Sequence, residues 1–200
     1  MILRRTFLTL IACSALLGVT PLALAAESAQ DFVKAKQTTL MTLVKQGKPD
    51  ADVDKVFNEV LDYRALAEAA LGEHWAGRTD AEKEEFTALL SKLVRNSYRK
   101  NLKKTVGYDV AYKGAEKAKD GEVVHTVATN TKDSREEPMS IDYVVRSQGD
   151  VKRIIDVVTE GSSMVGNYRS SFNRIMKKGG FPEVLQRMRK KVASGSTGAD

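Results

Sequence analysis

The chain has one cysteine, Cys13, and two histidines, His74 and His125, among its 200 residues. The histidines fall on different predicted elements with no thiol to join them, so no metal-ligand set is expected. A lone thiol also forms no internal disulfide. No glycine-rich loop fits a phosphate or dinucleotide fingerprint, and there is no Gly-x-Ser-x-Gly elbow for a nucleophilic serine. With no catalytic constellation, no metal site and no cofactor motif, the residues do not read as an enzyme. Nor does either sign of charge dominate, since 32 Lys+Arg face 26 Asp+Glu, a formal net charge of +6. The cations alternate with acids along helices, a pattern that argues against nucleic acid and suits transient contact with an anionic membrane surface.

Long apolar runs are equally scarce. The one present, Phe7 to Val19, is shorter than the ~20 residues a spanning helix requires. Arg4 and Arg5 precede it and Ala23-Leu24-Ala25 follows, so residues 1–25 read as a cleavable export signal and Ala26 as the first residue of a periplasmic protein. Arg4-Arg5-Thr6-Phe7-Leu8 resembles a twin-arginine motif, which leaves the export route open. Leu10-Ile11-Ala12-Cys13 resembles a lipoprotein box, but the apolar run continues past Cys13. Cleavage after Ala25 removes the only thiol.

What remains has the balance of a globular domain, with 42% apolar and 29% charged residues over the whole chain. Helical spacing is predicted for 28–46, where Phe32, Leu40, Leu43 and Val44 share a face, and Gly47 to Asp50 breaks it. A second helix carries Val53, Val56, Phe57, Val60 and Leu61; a third, capped by Asp62, carries Leu66, Ala67, Ala70 and Leu71. Thr79-Asp80-Ala81-Glu82 is a capping box that opens a helix of about 80 to 104. Glu82, Glu84 and Glu85 in its first turns complement the helix dipole. The period then changes to two. Val106, Tyr108, Val110 and Tyr112 alternate with smaller or polar residues, and further strands are predicted at 123–129, 139–145 and 151–158, joined by short turns as an antiparallel meander. Ser162 to Lys178 is predicted helical, Gly179-Gly180 ends it, and Pro182 opens another helix. Residues 193–200 read as a flexible tail. The expected fold is α+β: N-terminal helices, a four-stranded twisted antiparallel sheet, then C-terminal helices, enclosing a hydrophobic cavity in one domain over 26–192.

Several segments together resemble the MlaC family, also called the toluene-tolerance auxiliary family. Tyr63-Arg64-Ala65-Leu66-Ala67, Leu71-Gly72-Glu73-His74-Trp75 and the Thr79 capping box are similar to its first half. Asp156-Val157, Glu160-Gly161 and Asn167-Tyr168-Arg169 are similar to its second. The family often has a tryptophan shortly before the Asp-Val pair, where this chain has Lys152-Arg153. The resemblance implies a periplasmic phospholipid carrier. Its partners would be an outer-membrane lipoprotein–porin complex and an inner-membrane MCE-domain protein of an ABC transporter, in a pathway that maintains outer-membrane lipid asymmetry. Bound phospholipid would be cargo, not cofactor. A periplasmic adaptor with a filled core, or a small-molecule enzyme with a cone-shaped pocket, is the alternative.

A carrier needs an apolar space, and three predicted elements surround one. The long helix offers Leu90, Val94, Tyr98 and Leu102; the sheet offers Val106, Tyr108, Ile141, Tyr143 and Val145; the helix after Gly161 offers Met164, Val165, Tyr168 and Phe172. About half are expected to touch lipid, because buried stripes usually pack protein. Arg95, Arg99, Lys100, Lys103 and Lys104 cluster at one helix end. They read either as a solvated face complementing the dipole or as a patch for docking on partners or membrane.

Overall fold

The structure, a computed structural model, describes residues 27–195. The predicted export signal and residues 196–200 of the predicted tail lie outside the described residues. Three helices come first: α1 (Ala29–Lys45), α2 (Asp50–Val60) and α3 (Tyr63–Leu71). Each starts where local chemistry dictates. Ser28 accepts the Asp31 N–H at 3.0 Å, and Asp62 accepts that of Ala65 at 2.9 Å. Helix α4 (Asp80–Lys104) opens on the full capping box, with Thr79 N–H donating to Glu82 at 2.8 Å and Glu82 N–H to Thr79 Oγ1 at 3.3 Å.

A meander follows: β1 (Tyr108–Ala118), β2 (Gly121–Asn130), β3 (Met139–Gln148) and β4 (Val151–Thr159). They lie side by side in chain order, each antiparallel to the last. The register slips between Tyr112 and Gly114 on β1 and between Val144 and Val145 on β3. Such bulges bend a sheet and increase its twist. The first strand begins two residues later than the alternation suggested, so Val106 precedes it.

One feature differs from the expectation. A fifth strand, β5 (Ser162–Ser163), pairs with β4 through Thr159 and Ser162. The connecting Glu160 and Gly161 have φ of 48° and 72°, the paired left-handed geometry of a tight two-residue hairpin. Two residues show no periodicity, so alternation could not announce this strand. The last helical stretch, α5 (Met164–Ala193), is two helices meeting at a kink: Gly180 has a non-helical φ of 68° and ψ of −169°, where Gly179-Gly180 and Pro182 predicted an end and a new start. Gly180 takes a backbone that other residues adopt at a cost, and Pro182 then resumes the helix from its first turn.

The helices pack on one face of the sheet. At one end the space is filled. Phe86 is fully buried, with its ring centroid 5.2 Å from that of Phe172, 6.1 Å from Phe181 and 6.4 Å from Trp75. The family-like segments meet around this end. Arg169 Nε donates to the carbonyl of Ala69 at 2.7 Å and lies against Gly72, while Arg64 stacks over Trp75 at 4.8 Å. Asp156 joins β4 to the start of α5. Its carboxylate accepts the N–H groups of Val157 at 2.8 Å and Val165 at 3.0 Å, and the Ser163 hydroxyl at 2.5 Å.

Candidate functional site

At the other end the helices touch the sheet but leave the space between them unfilled. Between α1, α2, the last turns of α4 and strands β1 to β4 lies a chamber of about 360 Å³, within the size range of small-molecule sites. Val33 and Leu40 of α1, Phe57 and Val60 of α2 and Leu61 form one wall. Tyr98 and Leu102 of α4 form another, and Val110, Ala128, Ile141, Tyr143, Ile154 and Val157 form the floor. Polar groups are confined to a few positions: Lys36, Gln37, Asn101, Lys104, Thr105, Tyr108 and Thr159. Lys36 is paired with Glu59 at 3.0 Å, and Gln37 accepts the Tyr112 hydroxyl.

A second chamber of about 270 Å³ lies on the other side of α4. It is lined by Ser97, Tyr98, Asn101, Val157, Thr159, Ser162, Met164, Asn167 and Tyr168. Tyr98, Asn101, Val157 and Thr159 belong to both chambers, so the two share a wall.

The tyrosines around this space have altered acidity. Burial pushes Tyr112 and Tyr168 up to about 12, and pushes Tyr98 and Tyr143 well above the ordinary phenol value. A raised phenol stays protonated, which makes it a hydrogen-bond donor and a poor general base near neutral pH. Among the described residues no group of three or more His, Cys, Asp or Glu is placed to hold a metal ion.

Of the thirteen lining candidates, Tyr98, Leu102, Tyr108, Ile141 and Tyr143 stand on the main chamber, and Met164 and Tyr168 on the second. Val165 instead lines an open cleft between α3 and the start of α5. Leu90, Val94, Val145 and Phe172 lie in the closed core, and Val106 is half-buried before β1. The walls from α1 and α2 were not among the candidates, although Phe57, Val60 and Leu61 share one helical face in the sequence. Their periodicity marks a buried face and says nothing about whether protein fills the space opposite.

The basic cluster divides. Arg95 reaches Asp54 at 3.4 Å and Asn58 at 3.0 Å, and Arg99 reaches Asp50 at 3.1 Å and Asp54 at 3.7 Å, tying α4 to α2. Lys103 is 3.9 Å from Asp50. Lys100 and Lys104 are exposed, with no acidic partner among the described residues, and Lys104 stands at the main chamber.

Fold and cavity together define an α+β protein with an internal apolar chamber between sheet and helices. A family model described as MlaC protein matches residues 25–190. The chain belongs to the MlaC family. Among solved structures it is similar to the phospholipid-binding protein from Ralstonia solanacearum, determined in complex with a phospholipid. The likeness has 21% identity and a TM-score of 0.72, covers 84% of this chain and 98% of that one, and shows the shared fold. No curated protein matches the chain.

Proposed function

We propose that this chain is an exported periplasmic carrier that holds one phospholipid with acyl chain in the main chamber. The observation that carries the reading is the chamber itself: aliphatic and aromatic side chains from seven elements surround space that they do not fill. A filled-core adaptor has no use for such a space. An enzyme needs a polar group tuned toward neutral pH, whereas the shifted groups at the chambers are phenols moved away from it. Family membership and the phospholipid held by the Ralstonia solanacearum protein support the same cargo.

The energetics fit transport without catalysis. A tail of ~14 methylenes gains roughly 11 kcal/mol gross on leaving water. Loss into the periplasm is then slow, and release requires a partner that favours an opened form. The partners in this reading are an inner-membrane MCE-domain protein of an ABC transporter and an outer-membrane lipoprotein–porin complex, in service of outer-membrane lipid asymmetry. Lys100 and Lys104, with Lys103, supply the docking charge. The signal over residues 1–25 supplies export, and residues 26–192 form the lipid-binding domain.

Native mass spectrometry of the protein purified from the periplasm tests this. The expected result is a co-purified phospholipid that moves to acceptor vesicles only with a partner present. Protein that carries no lipid, and takes none up from vesicles, would overturn the carrier reading.

A further inference from the structure

The two chambers differ in chemistry. The main one is mostly aliphatic and aromatic. Besides Tyr98, Asn101 and Thr159, which it shares with the main chamber, the second presents Ser97, Ser162, Asn167 and Tyr168, all uncharged hydrogen-bonding side chains, and no charged one. An acyl tail gains nothing from hydroxyls and amides, which lose water when it covers them. A phosphate or ammonium group is met more strongly by charged partners than by neutral ones. Neutral donors and acceptors suit the part of a lipid between those extremes, the uncharged polar root where tails join glycerol.

Tyr98 stands in the shared wall. Its hydroxyl is buried and has no hydrogen-bond partner, although buried hydroxyls normally find one. Its ring packs on Phe57 at a centroid distance of 5.5 Å, on the main-chamber side. Leaving a buried donor unsatisfied costs free energy that a ligand acceptor would return. Tyr98 lines the second chamber as well as the main one, so an acceptor seated there lies beside its side chain.

Resting on the carrier reading, we infer that the second chamber seats the glycerol-ester root of the phospholipid, and that Tyr98 is the specificity-determining donor to an ester carbonyl. The chamber then favours ester-linked over ether-linked lipids, because an ether lacks the carbonyl acceptor. Burial holds the Tyr98 phenol protonated, so the donor persists across the physiological pH range.

The test uses the delipidated mature chain and two phosphatidylcholines with matched tails, one diester and one diether, competed by native mass spectrometry. Wild type is expected to prefer the diester by about five- to tenfold, the worth of one neutral hydrogen bond. Tyr98→Phe is expected to bring that ratio near one and to melt no lower than wild type, since it removes an unpaired buried hydroxyl. Asn167→Leu, which removes one polar group of the second chamber and its hydrogen bond to Ser162, is expected to reduce the ratio as well. A wild type without preference would overturn the inference and leave the carrier reading standing, as would a preference that survives in both variants. A wild type that binds neither lipid defeats the carrier reading itself.

Discussion

The two halves of α4 carry one apolar stripe and meet opposite surroundings. In the first half, Phe86, Leu90, Leu93 and Val94 are sealed, and the turn after α3 brings Trp75, and α5 brings Phe172 and Phe181, around Phe86. In the second half, Tyr98 and Leu102 continue the stripe but face open space, because α1, α2 and the sheet supply aliphatic side chains that stop short. Periodicity therefore fixes which face of a helix turns inward. Whether protein or cargo occupies the space opposite depends on residues far away in sequence.

The largest effect that separates the halves is loss of core volume. Phe86→Ala is expected to destabilise by about 3–5 kcal/mol in urea unfolding, whereas Leu102→Ala, half-buried on the chamber wall, is expected to cost less, roughly 1 kcal/mol. Equal costs would mean that the chamber is packed in solution.

Enlargement sharpens the contrast on neighbouring β3 positions. Val145 is 1% exposed, so Val145→Trp overpacks and costs about 1–3 kcal/mol. Ile141→Trp points into the main chamber; that variant is expected to fold, to co-purify with less phospholipid and to lose transfer between vesicles.

The basic end of α4 divides in the same way. Lys100→Glu with Lys104→Glu is expected to leave stability within about 0.5 kcal/mol while slowing partner-dependent transfer severalfold and flattening its salt dependence. Arg99→Glu instead sets an acid against Asp50 and Asp54 and lowers the melting temperature.

The smallest effect lies at alkaline pH. Tyr112 and Tyr168 have folded values of about 12 against 10.0 for a free phenol. Their neutral forms are favoured by folding, so their contribution is complete below pH 10 and is lost as pH rises from there through about 12. Stability measured from pH 9 to 12 should fall, and Tyr112→Phe with Tyr168→Phe should make the decline shallower.

The helix starts were legible because caps are local. Thr79 with Glu82, and Asp62 with Ala65, needed no knowledge of the rest of the chain. The alternation of the first four strands was legible for the same reason. β5 was not, being two residues held by the Glu160-Gly161 turn. The break at Gly180 was legible, because Gly179-Gly180 and Pro182 are local signals for an end and a new start. At the candidate site, alternation placed Ile141, Tyr143 and Val145 on the inward face, but it could not show that the first two meet the chamber and Val145 the closed core. The walls from α1 and α2 required knowing which helices approach the sheet, and no pattern within either segment encodes that.

The slip between Tyr112 and Gly114 has a consequence for life in a crowded compartment. β1 is an edge of the sheet, and its outer backbone groups offer a template on which another chain could extend. The irregularity interrupts the template in the middle, at Lys113, and Lys117 follows further along, both exposed. Along the opposite margin β5 covers Val158 and Thr159 of β4, and Leu61 bridges Ile154. Each margin thus carries an interruption to fibre-like growth, a safeguard that lies in the backbone and not in the chamber.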